Sequence, residues 1–361
     1  MNNYLQNRFA KHSAAGFSLL EMLIAMVVFT IIMTAIYGLL RIGNVSRNAI
    51  NDRGETIKNA RVAVNAVGRD VVNAGLGFSR VGGIVPDDYA ADHLDTPDDS
   101  GQERDLLTGI IAGNNIRESD LSVGGQKNDV IAFAFRDLQF NNGNPLSVTR
   151  TPWTDIIDNS IVLKSVTTDA FSICRPFDLY LIESKDGKQA IVMATSVPDN
   201  NTIVLGIDDP LNINQEVVNL SSNDRSILIQ CLSGNTSNCM DYSLGVTAKK
   251  IYWVSFSVEA DGTLVRTSYG NNSSGTAAEQ IQKFPLAYGV QNFQVRYLMQ
   301  DGTVSDDPSN GNTTPLKMNE VVQVEISITI QADGNENGVT STELINVTST
   351  FSTRNLKYDI Q

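Results

Sequence analysis

Between Phe17 and Leu40 the chain is apolar, and only Glu21 is charged there. Met22 to Leu40 is a run of nineteen residues without a formal charge, ended by Arg41. As a helix, Phe17 to Leu40 reaches about 36 Å, enough to cross the hydrocarbon core of a bilayer. Beyond Arg41 the pattern becomes amphipathic. Ile57, Ala60, Val64, Val67, Val71 and Ala74 fall alternately three and four apart, with Arg61, Asn65, Arg69 and Asp70 between them. The pattern predicts one helix from Phe17 to Ala74, of 58 residues, or about 87 Å if unbroken. It should stop near Gly75 or Gly77, with Gly38, Gly43 and Gly54 as bending points. The apolar stripe of its second half is read as a face for packing on a sheet rather than as a coiled-coil seam.

After the helix the period changes from helical to alternating. Pro86 to Asp105 is an acidic, polar loop with little apolar content to bury. Strand character follows in Asp129 to Phe135, Ser160 to Val166, Leu179 to Glu183, Ala190 to Val197 and Thr202 to Ile207, with a turn at Lys185 to Lys188 and a short strand at Ser226 to Cys231. Lys250 to Glu259 and Thr263 to Tyr269 flank Ala260, Asp261 and Gly262 as a hairpin. Gln291 to Gln300, Val321 to Gln331 and Leu344 to Thr353 complete the list, and Val322, Val324, Ile326, Ile328 and Ile330 alternate to give one apolar face. The expected class is α+β: a long N-terminal helix packed on an antiparallel sheet, with an enlarged β-rich head. The chain divides into a leader (1–16), a transmembrane helix (17–40), its amphipathic continuation (41–77) and the head (78–361).

Three readings compete for the N-terminal apolar stretch. A secretory signal peptide has a shorter apolar core without an internal carboxylate. A plain membrane anchor has no use for Glu21, whose insertion costs about 2.5 to 3.5 kcal/mol. The third rests on the junction Gly16, Phe17, Ser18, Leu19, Leu20, Glu21, which resembles the prepilin signature of type IV pilins and pseudopilins: a glycine before an aromatic residue, with glutamate fifth after the cut. Here the leader has sixteen residues, and Ala15 stands where a basic residue is common. The resemblance implies cleavage by a prepilin peptidase after Gly16, N-methylation of Phe17, and an assembly role for Glu21. A carboxylate about 4 Å from the new amine gains on the order of 4 kcal/mol at an effective dielectric of 20, comparable to the insertion cost. Its partner is either its own amine one turn back or that of a neighbouring subunit.

Leu286 to Gly302, LAYGVQNFQVRYLMQDG, the strand VVQVEISITI and the ending TSTFSTRNL resemble the PilW group of minor pilins and the J-type pseudopilins of type II secretion. That resemblance implies a minor pilin in type IV pilus assembly, placed at low copy as a tip or priming subunit because so large a head would crowd a repeating lattice. The alternatives are a J-type pseudopilin of a secretion pseudopilus and a pilus-borne adhesive protein. The implied partners are the prepilin peptidase, other minor and major pilins, the inner membrane and a possible tip adhesin.

Charge sets the orientation. Arg8 and Lys11 precede the apolar run, so the positive-inside rule keeps the short amino end in the cytoplasm and exports the head to the periplasm. The net charge of −13 becomes −15 when a leader with those two cations and no acid is removed. Such a balance disfavours nucleic acid as a partner of the ectodomain. Enzyme signatures are missing: His93 is the single histidine after Gly16, and there is no Walker loop or GxSxG elbow. No cofactor is expected apart from possible calcium at Asp333, Asn335, Asn337 and Glu343. This run begins like an EF-hand loop with Gly338 sixth, but its twelfth position is Leu344, and a hairpin tip explains the same residues.

Cys231 and Cys239 bracket the loop LSGNTSN in a disulfide-permissive compartment, with Cys174 left over. A bridge there stabilises by roughly 2 to 3 kcal/mol in the chain-entropy model; the alternative is three free thiols. Non-reducing peptide mapping of the exported protein should find the two cysteine peptides joined, and free thiols at both positions would remove the bridge.

Overall fold

A computed structural model describes residues 17–78, 82–86, 89–96, 105–150, 160–167, 169–184, 187–206, 208–214, 246–332, 335–336, 339–340 and 343–356. The chain enters one helix, α1, at Leu19 and leaves it at Asn73. The helix runs through Gly38, Gly43 and Gly54 without interruption, because no packed neighbour exploits the missing side chains there. Only its last third is buried. Ala60, Ala63, Val64, Val67, Val71 and Ala74 are in the core, whereas the large side chains from Phe17 to Ile42 are exposed.

The helix packs on a four-stranded antiparallel sheet, ordered Val304–Ser305, Val290–Met299, Val321–Ala332, Glu343–Ser352. From Val324 onward Val321–Ala332 alternates as expected: Val324, Ile326, Ile328 and Ile330 are buried against α1, with partners such as Phe293 and Val295 on the neighbouring strand, but Val322 is only half-buried and Val321 takes the buried place, because the register shifts opposite Leu298 and Met299. Small residues on the helix bring it close to the sheet. A Cβ at Gly68 would lie 2.1 Å from the Phe351 ring. Asp70, buried on the same helix, accepts a hydrogen bond from Arg266 Nε at 2.8 Å.

The second sheet has thirteen strands and is organised by one of them, Val246–Val258. Its first half pairs with Leu179–Ser184 and Leu146–Arg150; its second half pairs with Asn128–Arg136 and Leu264–Tyr269. Expectation and structure differ over its hand: Gly83–Val85 runs parallel to Gln189–Met193 through Ile84 and Ala190, so this sheet is mixed. The two sheets are stitched by side chains. Asn128 Oδ1 accepts from Phe293 N at 2.8 Å, and Asp129 Oδ2 accepts from Val295 N at 2.7 Å.

Several strand bounds also shift. Ala190 to Val197 is two strands, Gln189–Met193 and Ser196–Asp199, since the Thr195 amide and hydroxyl turn to the Val204 carbonyl. The acidic stretch after Pro86 holds a helix, α2, Tyr89–Leu94, whose Tyr89, Ala90 and Leu94 are buried, and the strand Asp105–Leu107 closes it. Gly83–Val85, Ile110–Arg117, Leu146–Arg150 and Ile281–Ala287 are strands that alternation does not reveal. The first three are short or interrupted by Gly and Asn, and the last is mostly exposed and contains Pro285. Ser226 to Cys231 and the turn residues Lys185 and Asp186 lie outside the described residues.

The end of α1 is fixed by backbone contact. Gly75, at φ +75°, donates its N–H to the Ala134 carbonyl at 2.9 Å, and Ala134 N donates to Gly109 O at 3.1 Å. A Cβ on Gly109 would lie 2.3 Å from Gly75 Cα, where only backbone could yield. Gly109→Ala should therefore destabilise the head by about 1 to 3 kcal/mol. Gly43→Ala, at a helical glycine with no neighbour within 4 Å, should be neutral or stabilising. Urea denaturation of the full chain in detergent micelles checks both; equal midpoints would show that the Gly75–Gly109 contact does not hold the helix end.

Candidate functional site

The candidate processing site lies where the chain enters α1. Ser18 is extended (φ −71°, ψ 146°) and caps the helix: its Oγ accepts from Glu21 N at 3.2 Å, and its own N–H donates to Glu21 Oε2 at 3.1 Å. This reciprocal box uses serine and glutamate three apart, and the carboxylate also lies at the positive end of the helix dipole. Phe17 is exposed and outside the helix, so the bond joining it to Gly16 begins where helical hydrogen bonding has not yet started. Gly16 lies outside the described residues.

Two sequence-designated residues, Phe17 and Glu21, thus sit within one turn of each other, and the Glu21 carboxylate is already turned back toward the helix start. It accepts from the amide adjacent to the nitrogen that cleavage would convert into a cation. The rest of the apolar stretch is compatible with lipid. Thr30 donates its hydroxyl to Met26 O at 2.7 Å and Thr34 to Thr30 O at 2.8 Å, so neither exposes an unsatisfied polar group.

The other designated residues are not brought to this end. Cys231 and Cys239 lie outside the described residues, and Cys174 is buried, its thiol pushed up to about 11 by desolvation, which keeps it protonated and inert. Asp333 and Asn337 also lie outside the described residues. Asn335 belongs to the two-residue strand Asn335–Glu336, paired with Val339–Thr340 as in a hairpin. Glu343 starts the strand that follows and forms an ion pair with Arg53 of α1 at 3.2 Å.

Sequence reasoning missed a cluster in the head. His93 stacks on Tyr89 with ring centroids 4.3 Å apart and lies 5.6 Å from Trp253, which stacks on Tyr269 at 3.9 Å. The signal was present, since Tyr89 and His93 stand four apart on α2. Burial lowers the His93 pKa, against a weaker opposing effect of the Tyr89 carbonyl and Asp92. Burial acts oppositely on two carboxyls: Asp129 and Asp209 are each pushed up to about 6, although both accept backbone N–H groups.

Residues 11–37 match the family described as the prokaryotic N-terminal methylation motif. No curated protein matches the chain, and no solved structure does. The motif is a type IV pilin-like leader, which supports a structural role of pilin or pseudopilin type in pilus or secretion assembly. It implies processing by prepilin peptidase and assembly with other pilins, and with the apolar helix it supports a single-pass membrane anchor.

The His93 environment makes a pH prediction. A histidine with a depressed folded pKa contributes stability that is fully present above its unfolded value of 6.5 and is lost as pH falls from there toward the folded value. Asp129 and Asp209 act in the opposite sense, favouring the fold as pH falls through about 6. Comparison with His93→Phe, which keeps an aromatic ring at the stack, isolates the histidine. Between pH 7.5 and 5.5 the variant should lose less melting temperature than the wild type. Parallel losses would mean that His93 titrates normally in the fold.

Proposed function

We propose that the chain is a minor pilin of a type IV pilus, cut between Gly16 and Phe17, methylated on Phe17, and used at low copy as a tip or priming subunit. The observation that carries this reading is the junction itself: the methylation motif leads directly into a capped apolar helix that continues without a break into the core of a β-rich head. Apolar segments of several such helices can bundle, while a head with two large sheets is too large to repeat at every position of a close lattice. The carboxyl-terminal resemblance favours the PilW group. It is shared with J-type pseudopilins, so a secretion pseudopilus remains the second reading, on the same residues.

Cleavage and assembly depend on different residues. Gly16→Glu should leave the uncut precursor in the membrane, because a bulky charged residue cannot occupy a backbone held in a cleavage site. Glu21→Val should still be cut and inserted, since it removes a charge from the apolar run. It should enter filaments poorly, because the helix then lacks a carboxylate to meet a neighbour's amine. Immunoblots of sheared pili and membranes read both outcomes. Wild-type amounts of Glu21→Val in pili would remove Glu21 from assembly.

A further inference from the structure

The helix and the head carry opposite charge. Eight of the 27 basic residues and four of the 40 acidic residues precede Gly75, which leaves the head, Gly75 to Gln361, with a formal charge of −17. On α1, successive residues turn by about 100°. On that wheel Arg47, Lys58, Arg61 and Arg69 share one face, within about 40° of its centre, and no acidic residue interrupts it. Asp52 and Glu55 fall outside that face, and Asp70 turns into the head. The centre of the basic face is roughly 130° from the stripe of Ala60, Val64, Val67 and Val71 that packs on the sheet, so it points away from its own head. All four cations are exposed. Among the described residues Arg47, Lys58 and Arg61 form no ion pair, and Arg69 has only a 3.7 Å approach to Asp70. By contrast Arg53, on the head-facing side, is paired with Glu343.

We infer that this basic face is a docking surface for the acidic head of a second copy of the chain. Two copies anchored side by side in one membrane hold their heads at the same height. The head of one then lies level with the residues its own helix buries, from Ala60 upward, and reaches down to Arg53 through Glu343, which brings it beside Lys58, Arg61 and Arg69 of the other. Arg47 lies about 20 Å nearer the membrane than Ala60 and is reached only when the second copy is displaced along the helix axis. Like charge keeps two heads of −17 from meeting face to face, so the cationic helix face is the approach left to them. The inference needs the helix to be membrane-anchored but does not depend on leader cleavage or on entry into a filament.

The test uses the full uncut chain in zwitterionic micelles, with sedimentation measured at low and high salt. Raising sodium chloride from about 50 to 500 mM shortens the screening length to a few ångström and should weaken pairing at least tenfold. Apolar contact between the membrane helices does not weaken with salt and remains as a baseline. Lys58→Glu with Arg61→Glu should remove the salt-dependent part while leaving the urea midpoint unchanged, because both side chains are exposed and have no ion-pair partner among the described residues. Carbodiimide coupling of mixed light and heavy isotope chains should join Lys58 of one copy to head carboxylates of the other. Single chains at both salts, or pairing indifferent to the double charge reversal, would overturn the inference. So would salt-sensitive binding to phosphatidylglycerol vesicles by chains that stay single in micelles, which would assign the face to lipid.

Discussion

The structure beyond the membrane depends on one seam, where the last third of α1 lies against the four-stranded sheet. Ala60, Ala63, Gly68 and Ala74 are small, and that is what lets Val64, Val67 and Val71 reach the buried face of Val324, Ile326, Ile328 and Ile330. A helix whose first forty or so residues are mostly exposed holds its head mainly through this buried last third. The seam is supplemented by a charge pair of unequal exposure, Asp70 almost wholly buried and Arg266 partly so. Breaking such a pair by removing one partner costs about 3 to 5 kcal/mol, since the other is left charged in the core. Because burying both charges costs about what their attraction returns, the pair adds little net stability.

The larger sheet meets this seam directly, through Arg266 on Asp70 and the Ala134 carbonyl on Gly75, and also through side chains that reach the smaller sheet. Val246–Val258 runs between its two halves, and Asn128–Arg136 beside it presents Asn128 and Asp129 to the open amides of Val290–Met299. Two side chains therefore do what a neighbouring strand would do for those amides. This lets sheets of different direction share an interior without pairing edge to edge. The Asp129 carboxyl at about 6 reflects that position, held away from water yet needed as an acceptor.

The helix and the carboxyl-terminal sheet were legible in the sequence because each has a strong period and a single neighbour. The stripe from Ile57 to Ala74 and the alternation from Val324 to Ile330 can each be satisfied in one way. The middle of the chain was less legible. Gln189–Met193 is buried throughout and so shows no alternation, and α2 hides three buried residues among aspartates. The mixed direction of the large sheet is set by Ile84 meeting Ala190, a contact between residues more than a hundred positions apart that no local pattern encodes. At the processing site the residue types and spacing were readable, whereas the Ser18–Glu21 box was not drawn from them. Serine and glutamate three apart did announce it.

Arg41 ends the apolar run, and Arg53 makes the lowest ion pair between helix and head among the described residues. The helix between them, about 18 Å long, is a stalk whose described side chains are exposed apart from half-buried Val45, and Gly43 and Gly54 stand near its two ends. Its hydrogen bonds have no packed layer to shield them, and a segment of that length is marginal as a helix by itself. The stalk is therefore the compliant part of the molecule. Load applied to the head is borne first by unshielded backbone hydrogen bonds in the stalk, before it reaches either the lipid or the packed core.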